Sequence, residues 1–591
     1  MGKARAARAQ GDLFGAKKGR KRGGNSVASG GEPEEVAKIE ILPSDHREET
    51  KPRKSSSPVT SREPRRKPKG RTAKDLATRQ REISVSEFFT KNRHLLGFDS
   101  PSRALLTAVK EAVDNALDAC EDADILPDLI VEIREVAEDR YCIAVEDNGP
   151  GIVRKQIPRI FGKLLYGSKF HTLKQSRGQQ GIGISAAGMY GQLTTGKPVV
   201  IHSRTGSGRP AHYFELVLDT AKNQPRILVD REEEWEGKNT GTRVEIELEG
   251  SYRRGTRSVD AYIALTAMAN PHADIRYHPP KDEPVHYARV TEYMPEEPRE
   301  IKPHPYGVEL GMLIKMMHGT KARNVSSALQ KDFSRVSAKV AKEICEKAGL
   351  RPSMRPGRIG ATEGESLRNA IANTKILAPP TSCVSPIGEE LMRKGLESGL
   401  SAQDLEAEFV IGTTRSPAIY RGNPFQVEVA LAWGGNLPVN ELAVLNRFAN
   451  RVPLQYQQAA CAITKALMTA GWRNYGVSQS KGALPSGPLV ISVHIASVWV
   501  PFTSEAKEAI ASYPEILKEL RLALQECGRQ LGKHIRRRRS MADEARKRSH
   551  IETFIPVIGD ALQEILSLSD EERENAVSEL AGILERSRKA F

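Results

Sequence analysis

107-TAVKEAVDNALDA-119 reads as an amphipathic helix with one apolar face and one acidic face. At helical spacing Glu111, Asn115 and Asp118 share one stripe, while the alanine, valine and leucine side chains cluster on the opposite side. Three glycine-bearing segments follow in a fixed order: 147-DNGPG-151, 178-GQQGIG-183 and 240-TGT-242. An acidic helix and three places where the backbone can approach a ligand closely indicate a nucleotide-binding domain.

The residue types on this helix suit the hydrolysis of ATP. Cleavage of a phosphoanhydride needs a positioned water, a group that orients or deprotonates it, and a magnesium ion that offsets the phosphate charge. Glu111 is the predicted catalytic base, and Asn115 would give its side-chain oxygen to Mg²⁺, which keeps most of its own waters. Asp114 or Asp118 could support either role through hydrogen bonds.

The glycine segments suit the two ends of the nucleotide. Asp147 is expected at the end of a strand, where its carboxylate would accept the exocyclic amine of adenine. The glycines of 178–183 permit close main-chain approach, and the helix expected after them favours phosphate at its N-terminus. Such a loop alone is most often only a turn, so the prediction depends on the ordered set of four elements. A P-loop is excluded, because no G-x-x-x-x-G-K-[ST] occurs in the sequence.

The net charge of +15 is concentrated at the start of the 591 residues. Residues 1–80 hold 21 Lys and Arg against 10 Asp and Glu, which gives +11. Their few aromatic residues and many Gly, Ser and Pro predict a disordered basic tail. The tail would also attract nucleic-acid phosphates, and its basic clusters fit a nuclear address as an alternative.

No apolar run approaches the roughly 18 to 20 residues that span a bilayer, and no secretion signal is recognisable. The sequence therefore predicts a soluble intracellular protein, cytoplasmic and nucleoid-associated if its source is prokaryotic. No C-x-x-C spacing indicates a zinc site or a disulfide framework. The cysteines are expected to be reduced core residues: Cys120, Cys142, Cys345, Cys383, Cys461 and Cys527.

The pattern of strands predicts the fold class. Strand-like runs occur at Leu129–Val136, Tyr141–Glu146, Val199–Ser203, His212–Leu218 and Arg243–Glu249. Few helices lie between them, so the predicted sheet is mixed and is covered by helices on one face. Because a single core rarely exceeds about 250 to 300 residues, we expect an α+β chain of several domains.

Composition divides the rest of the chain. A Pro-rich passage, Pro279–Pro305, reads as a linker, and residues 307–357 read as a small all-helical module. A third region has strands expected at Phe409–Gly412, Phe425–Ala432 and Leu489–His494. An almost uninterrupted helix is expected from Ser504 to about Ser569, followed by a short amphipathic helix over Asp570–Phe591.

Two sets of motifs carry a family resemblance. The first resembles the Bergerat ATP-binding fold of the GHKL superfamily and consists of 111-EAVDN-115, 147-DNGPGI-152, 178-GQQGIGIS-185 and 239-NTGT-242. The second is more specific and resembles the B subunits of type IIB DNA topoisomerases, the topoisomerase VI family. It consists of 377-LAPPTSCVSPIGE-389, 446-NRFANRVPL-454 and 501-PFTSEAKEAI-510.

The resemblance implies a division of the chain into five regions. After the tail at 1–80 come a GHKL ATPase domain of the α/β-sandwich type with an N-terminal strap (81–300) and an all-α helix-two-turns-helix domain (301–375). An α/β transducer domain with a long terminal helix (376–540) and a C-terminal helical extension (541–591) complete it. The tail and the extension depart from the shorter family pattern, which leaves their roles open.

The resemblance also implies an activity and partners. The chain would be the ATPase subunit of an ATP-dependent DNA topoisomerase. Its ATP-driven dimerisation would pass one duplex through a transient double-strand break made by the A subunit, relaxing supercoils and decatenating DNA. The expected assembly is an A2B2 heterotetramer on double-stranded DNA, with the strap at about 83–98 reaching the other copy of this chain and no membrane involved.

Lys507 matches the transducer lysine that reaches the γ-phosphate in this family, so it is a second predicted catalytic residue. Without the resemblance it would read as a solvated lysine at a helix start. The complete set of predicted nucleotide-binding residues is Asn115, Asp147, Gly149, Gly151, Ser168, Lys169, Gly178, Gln179, Gln180, Gly181, Ile182, Gly183, Thr242 and Lys507. Asn115 is also the predicted Mg²⁺ ligand, and ATP and Mg²⁺ are the predicted cofactors.

Two other functions fit part of the pattern. A nucleotide-switched clamp that binds ATP and DNA without strand cleavage would share the nucleotide site, as mismatch-repair relatives of the superfamily do. A sensor kinase would share the nucleotide fold but is disfavoured, because the chain has no membrane span and two further domains follow the site. Basic residues such as Lys315, Lys321, Arg323 and the run 536–539 could contact DNA or simply be solvated.

Overall fold

The computed structural model describes residues 85–167, 172–178, 181–219, 222–504 and 506–589. The predicted basic tail at 1–80 lies outside these residues. Among the helices of the described part, none is both long and apolar enough to cross a membrane.

The N-terminal sheet domain holds the predicted acidic helix and an eight-stranded sheet. Its helices are α1 Val85–Lys91, α2 Pro101–Asp122, α3 Ile157–Phe161, α4 Gly183–Thr195 and α5 Val259–Ala269. Its strands are β1 Asp128–Ala137, β2 Arg140–Glu146, β3 Val199–Arg204, β4 Ala211–Asp219, β5 Gln224–Glu233, β6 Gly241–Glu249, β7 Asp274–His278 and β8 Val285–Tyr287.

The eight strands are arranged in the order β5-β4-β3-β6-β2-β1-β7-β8. Strands β1 and β7 are parallel, with Val131 opposite Tyr277, and the other neighbouring pairs are antiparallel. Along β1 the buried residues alternate with half-buried ones, because helices α2, α4 and α5 pack against one face. The expectation of a mixed sheet with helices on one face is therefore confirmed.

Three strands of this sheet were not predicted. β5 is an edge strand with mostly exposed residues, so its sequence lacks the alternation that marks a half-buried strand. β7 and β8 are short, and β8 lies inside the Pro-rich passage that reads as a linker. The Pro279–Pro305 passage is thus partly a sheet edge.

The segment before α2 packs on its own domain. Phe89 and Phe98 are buried, and the ring of Phe98 stacks on Tyr190 of α4 with the ring centroids 5.1 Å apart. This segment corresponds to the described part of the predicted strap.

A small helical module follows. Its helices are α6 Leu310–Gly319, α7 Val325–Asp332, α8 Ala338–Lys347 and α9 Ala361–Ala372. They share a separate core that extends to Ile376. The sequence predicted three helices over 307–357. The structure adds a fourth helix, α9, beyond that range, and its buried residues Leu367, Ala370 and Ile371 complete the core of the module.

The C-terminal sheet domain contains the predicted transducer. Its strands are β9 Phe409–Thr414, β10 Ala418–Tyr420, β11 Asn423–Trp433, β12 Val444–Ala449, β13 Val452–Pro453, β14 Ser478–Gln479, β15 Pro485–Ser486 and β16 Leu489–Ser497. Its helices are α10 Glu389–Ser401, α11 Ala462–Met468, α12 Pro514–Leu566 and α13 Asp570–Lys589. In the main sheet β11 pairs with β9, β10 and β16, and β12 lies parallel to β16.

Strand β16 is buried along its whole length. One face packs against α11 and the first half of α12, and the other packs against α10 and the end of α5, including Met268 and Ala269. A strand covered on both faces reads as a continuous apolar run rather than an alternating one. The two sheet domains therefore share a hydrophobic core.

The long terminal helix starts later than predicted. Residues Phe502 and Ile510 pair as an isolated β-bridge, and α12 begins at Pro514, where a proline is tolerated in the first helical turn. The prediction of helix from Ser504 was therefore wrong over its first ten residues. Helix α13 packs back on the end of α12, where Gly559 lies against Val577.

Candidate functional site

Helix α2, the start of α4 and the edge of the C-terminal sheet domain enclose a cavity of about 630 Å³. Most of the predicted site residues line it: Glu111, Asn115, Asp147, Gly151, Gly178, Gly181, Ile182, Gly183, Thr242 and Lys507. Gly149 does not line the cavity, and its main-chain nitrogen donates to Asp147 instead. The predicted residues Ser168, Lys169, Gln179 and Gln180 lie outside the described residues.

Glu111 lies against the first residue of α4. A side chain added at Gly183 would overlap the Glu111 carboxylate, so the glycine is needed to leave that carboxylate room. Gly183 begins a helix of thirteen residues, and main-chain N–H groups at a helix N-terminus attract phosphate. The predicted base and the predicted phosphate donors are therefore direct neighbours.

Two charged groups flank Glu111 on α2, the buried Asp114 and the half-buried Lys110. Asp114 accepts a hydrogen bond from the Tyr262 hydroxyl of α5 at 3.0 Å. Burial raises the pKa of Asp114 to about 6, and Lys110 opposes that shift. Burial lowers the pKa of Lys110, against the attraction of Asp114 and Glu111. Tyr262 thus holds the back of the helix, and Lys110 lies in the cavity wall.

Asn115 is exposed at the cavity one helical turn after Glu111. Over the described part of the chain, no three His, Cys, Asp or Glu side chains come together as a metal site. One accessible amide oxygen fits a Mg²⁺ ion that keeps several waters and takes other ligands from phosphates. The donor set present is therefore compatible with the predicted magnesium.

Asp147 follows β2 and is buried beside β6. Its Oδ1 accepts hydrogen bonds from the main-chain nitrogens of Gly149 at 2.9 Å and Thr242 at 3.1 Å. Burial raises the pKa of this carboxyl to about 6, and those two N–H donors oppose the shift. Because both of these hydrogen bonds go to Oδ1, Oδ2 would accept a hydrogen bond from a ligand amine.

Two glycines allow the backbone to pass close to the cavity. Gly151 has φ of 71°, and a side chain there would overlap the carbonyl of Arg204. Gly241 has φ of 144°, and a side chain there would overlap the carbonyl of Asp147. Both positions combine a positive φ with a close backbone neighbour, which only glycine satisfies without strain.

Ser203 supports the cavity from behind its lining, and the sequence did not reveal it. Its buried hydroxyl on β3 accepts from the Ile152 nitrogen at 2.7 Å and lies 3.1 Å from the Thr242 hydroxyl. It therefore joins two lining segments to the sheet. The only available signal was a serine at an inward position of the apolar strand 199–203.

Lys507 belongs to the edge of the C-terminal sheet domain that closes the cavity. It is half-buried, with φ of 53°, and its Nζ donates to the carbonyl of Arg177 at 3.1 Å. Arg177 immediately precedes Gly178. Lys507 is thus not a solvated lysine at a helix start, because it lies in a turn before α12 and points at the glycine loop.

The same edge also contacts the start of α2. Glu508 is buried and forms an ion pair with Arg103, and its Oε2 accepts from Gln457 at 2.7 Å. The Arg103 guanidinium also lies over the Tyr456 ring, 5.0 Å from its centroid. Sequence reasoning missed these residues, because the partners are distant in sequence: Glu508 is 405 positions from Arg103 and 51 from Gln457.

Two family models match the chain. Residues 101–250 match the family described as histidine kinase-, DNA gyrase B-, and HSP90-like ATPase. Residues 379–547 match the family described as topoisomerase VI B subunit, transducer. Together the two matches cover the cavity from both sides.

Curated relatives match over most of their length. The type 2 DNA topoisomerase 6 B subunit of Methanococcoides burtonii is 48% identical over 495 residues, covering 84% of this chain and 79% of the relative. The protein of the same name from Archaeoglobus fulgidus is 46% identical over 510 residues, covering 86% and 83%. That from Natronomonas pharaonis is 36% identical over 698 residues, covering 87% and 86%.

Among solved structures, the 43K ATPase domain of Thermus thermophilus gyrase B superposes with a TM-score of 0.33 at 13% identity. The match covers 78% of this chain and 97% of that domain, and the likeness is too weak to support an argument.

Proposed function

Because this chain belongs to the family of type 2 DNA topoisomerase 6 B subunits, it is the ATPase subunit of an ATP-dependent DNA topoisomerase, and we propose that the cavity beside α2 is where it binds and hydrolyses ATP. The observation that carries this proposal is the contact between Glu111 and Gly183, which sets a carboxylate beside a helix N-terminus inside a 630 Å³ cavity. A base and a phosphate-binding site must be adjacent for hydrolysis.

Adenine is proposed to bind at Asp147. A buried carboxylate whose Oδ1 is occupied by two main-chain donors would present Oδ2 to the exocyclic amine. Gly151 and Thr242 would form the walls, because the glycine lets the backbone approach a flat ring. The triphosphate would then extend towards Gly178 and the start of α4.

Glu111 is proposed to orient and deprotonate the attacking water. Its carboxylate is half-buried and close to the expected phosphate position, so a water held there would be directed at the terminal phosphate. Magnesium, when bound through Asn115 and the phosphates, would offset phosphate charge. Lys110 would add positive charge on the same wall.

Lys507 is proposed to contact the γ-phosphate. Its ammonium already points at the carbonyl that precedes Gly178, so a small movement would bring it to a phosphate in the same cavity. An ammonium from the second sheet domain would stabilise charge on the terminal phosphate and link hydrolysis to the transducer.

The partners are proposed from the family. An A subunit would make the transient double-strand break, two copies of each subunit would form an A2B2 heterotetramer, and ATP would close two copies of this chain into a dimer. One duplex would then pass through the break. The domain limits 81–300, 301–375 and 376–540 are part of this proposal.

The test is relaxation of supercoiled plasmid by the full chain with a purified A subunit of the same family. We expect relaxation that requires ATP and Mg²⁺ and that is lost when either subunit is omitted. ATP binding without relaxation in the presence of an A subunit that cleaves DNA would contradict the topoisomerase role and favour the clamp.

A further inference from the structure

Three consecutive residues before Gly178, which we call the 175–177 segment, are attached to the C-terminal sheet domain. The main-chain nitrogen of Gln175 donates to the carbonyl of Cys383 at 3.0 Å. The Gln175 side chain accepts from the nitrogen of Ser385 at 2.8 Å and donates to the Ser385 carbonyl at 3.0 Å. Gln175 therefore forms three hydrogen bonds with Cys383 and Ser385, one through its main chain and two through its side chain.

The next two residues continue the attachment. The carbonyl of Ser176 accepts from the Asn450 side chain at 3.0 Å, and the carbonyl of Arg177 accepts from Lys507. Asn450 and Lys507 both have positive φ, of 48° and 53°, so each side chain is presented from a tight turn. Every residue of the 175–177 segment thus contacts the second domain.

The Arg177 side chain connects the segment back to α2. Its guanidinium donates to Asp118 at 2.8 Å and to both oxygens of Glu121 at 2.6 and 2.7 Å. Burial alone would raise the pKa of Glu121, but Arg177 and His272 outweigh it and hold that pKa well below its ordinary value. Arg451 of the C-terminal sheet domain lies 3.6 Å from the same carboxylate.

These contacts are buried, which makes their loss consequential. Gln175 and Arg177 are both buried, so removing one partner leaves polar groups without water to replace it. The segment leads directly into Gly178, one of the residues that line the phosphate end of the cavity. Asp147, at the other end, accepts its main-chain hydrogen bonds from within the N-terminal sheet domain.

We propose that Gln175 is a positioning residue through which the transducer sets the place of Gly178 and thereby the affinity for the terminal phosphate of ATP. The proposal rests on the proposed function, because it assumes that the nucleotide lies in this cavity. Gln175 does not line the cavity, and within the described residues its side chain bonds to the main chain of Ser385. It acts through Gly178 and not on the nucleotide itself.

The chain offers a matched control in Gln479. Gln175 and Gln479 are both 8% exposed, and each side chain accepts from one main-chain nitrogen, while Gln175 donates to one main-chain carbonyl and Gln479 to two. Gln479 accepts from Trp472 at 3.1 Å and donates to Met468 and Ala483 at 3.0 Å, all inside the C-terminal sheet domain. The substitutions Gln175→Met and Gln479→Met therefore remove side-chain bonds of the same kind at different places, two at Gln175 and three at Gln479.

The experiment measures the affinity of the full chain for ADP and for an ATP analogue with a nonhydrolysable β,γ-imido bridge. For Gln175→Met we expect the analogue to bind about tenfold more weakly, with ADP affinity within about twofold. The two lost hydrogen bonds to Ser385 hold the segment that positions Gly178, and Gly178 lies at the proposed terminal-phosphate position. Gln479→Met should lower the melting temperature and leave the ratio of the two affinities unchanged.

An unchanged ratio in Gln175→Met would overturn the proposal, and so would an equal change in both variants. If Gln175→Met does not fold, Gln175→Asn decides in the same way, since it keeps a neutral amide but is one methylene too short to form both bonds with Ser385. A wild-type chain that binds neither nucleotide would instead contradict the proposed function.

Discussion

The two walls of the cavity are built differently. The wall formed by α2, Asp147 and β6 is held by bonds within one domain, such as those from Gly149 and Thr242 to Asp147. The opposite wall, residues 453–456 and 506–508, is held by contacts between domains, including Arg103 with Glu508 and Lys507 with Arg177. We call them the ATPase wall and the transducer wall.

This difference separates the residues proposed for binding and catalysis from the contacts through which the second domain can affect the rate. The ATPase wall contains the groups proposed to bind adenine and to activate water, and the hydrogen bonds that hold Asp147 come from its own domain. The transducer wall exists only while the two domains keep their present arrangement. Substitutions on the first wall should therefore abolish a chemical step, and those on the second should change its extent.

The largest effect is expected on the ATPase wall at Glu111. Glu111→Ala should lower the rate of ATP hydrolysis about a thousandfold with nucleotide affinity almost unchanged, because a general base acts in the transition state. Steady-state hydrolysis and analogue binding measure the two quantities. Glu365→Ala, which removes an exposed carboxylate on α9, is the control and should hydrolyse ATP normally. Wild-type turnover of Glu111→Ala would remove this residue from its role.

A second test on the same wall is Gly183→Ala. The added methyl group would overlap the Glu111 carboxylate and displace it, and a misplaced catalytic group costs about a hundredfold in rate. Gly311→Ala on α6 is the matched control, because its added Cβ meets no atom within 4 Å. Alanine has the better helix propensity at both positions. Loss of hydrolysis only at 183 supports the geometry, and equal behaviour of the two variants contradicts it.

The transducer wall should show a smaller effect at Lys507. Lys507→Ala removes one charge-assisted donor, so we expect hydrolysis to fall roughly thirtyfold while ADP binding stays close to wild type. Lys465→Ala is the control, since that exposed lysine of the same domain bonds only Ser512 among the contacts described. Unchanged hydrolysis by Lys507→Ala in the complex with the A subunit would assign Lys507 to interdomain packing alone.

The smallest effect concerns pH at the adenine end. The pKa of Asp147 is raised to about 6, and protonation would remove the acceptor proposed for the adenine amine. Affinity for ADP should therefore fall as pH is lowered through 6, by about fourfold between roughly pH 7.5 and 5.5, following the ionised fraction. Asp114 has a similarly raised pKa, so Asp114→Asn is the control and should keep the pH dependence. A flat profile in that variant would reassign the titration to Asp114.

The sequence predicted the ATPase wall because its signals are local. Glu111 and Asn115 are one helical turn apart, and Asp147 stands where a strand meets a glycine turn. Lys507 was reached only through resemblance, since its position depends on a turn before α12 that the sequence pattern reads as helix. The partners of Ser203 and Gln175 are distant in sequence, so no spacing could reveal them.

The sequence predicted a mixed sheet but not the order of its strands. The scarcity of helices between the strand-like runs indicated a mixed sheet, but the exposed edge strand β5 and the short strands β7 and β8 lack a periodic signal. The run at Leu489–His494 predicted a strand. It did not show that α5 of the other domain covers one face of β16.

The shared core beneath β16 bears on how members of this family can be recombined. Gly395 of α10 lies so close to the carbonyl of Met268 that any side chain there would push the two domains apart. A chimera that joins the nucleotide domain of one relative to the transducer of another must therefore carry α5 and α10 from the same parent. Exchange of the helical module alone, whose core is separate, would meet this condition, because both crossovers then leave α5 and α10 with one parent.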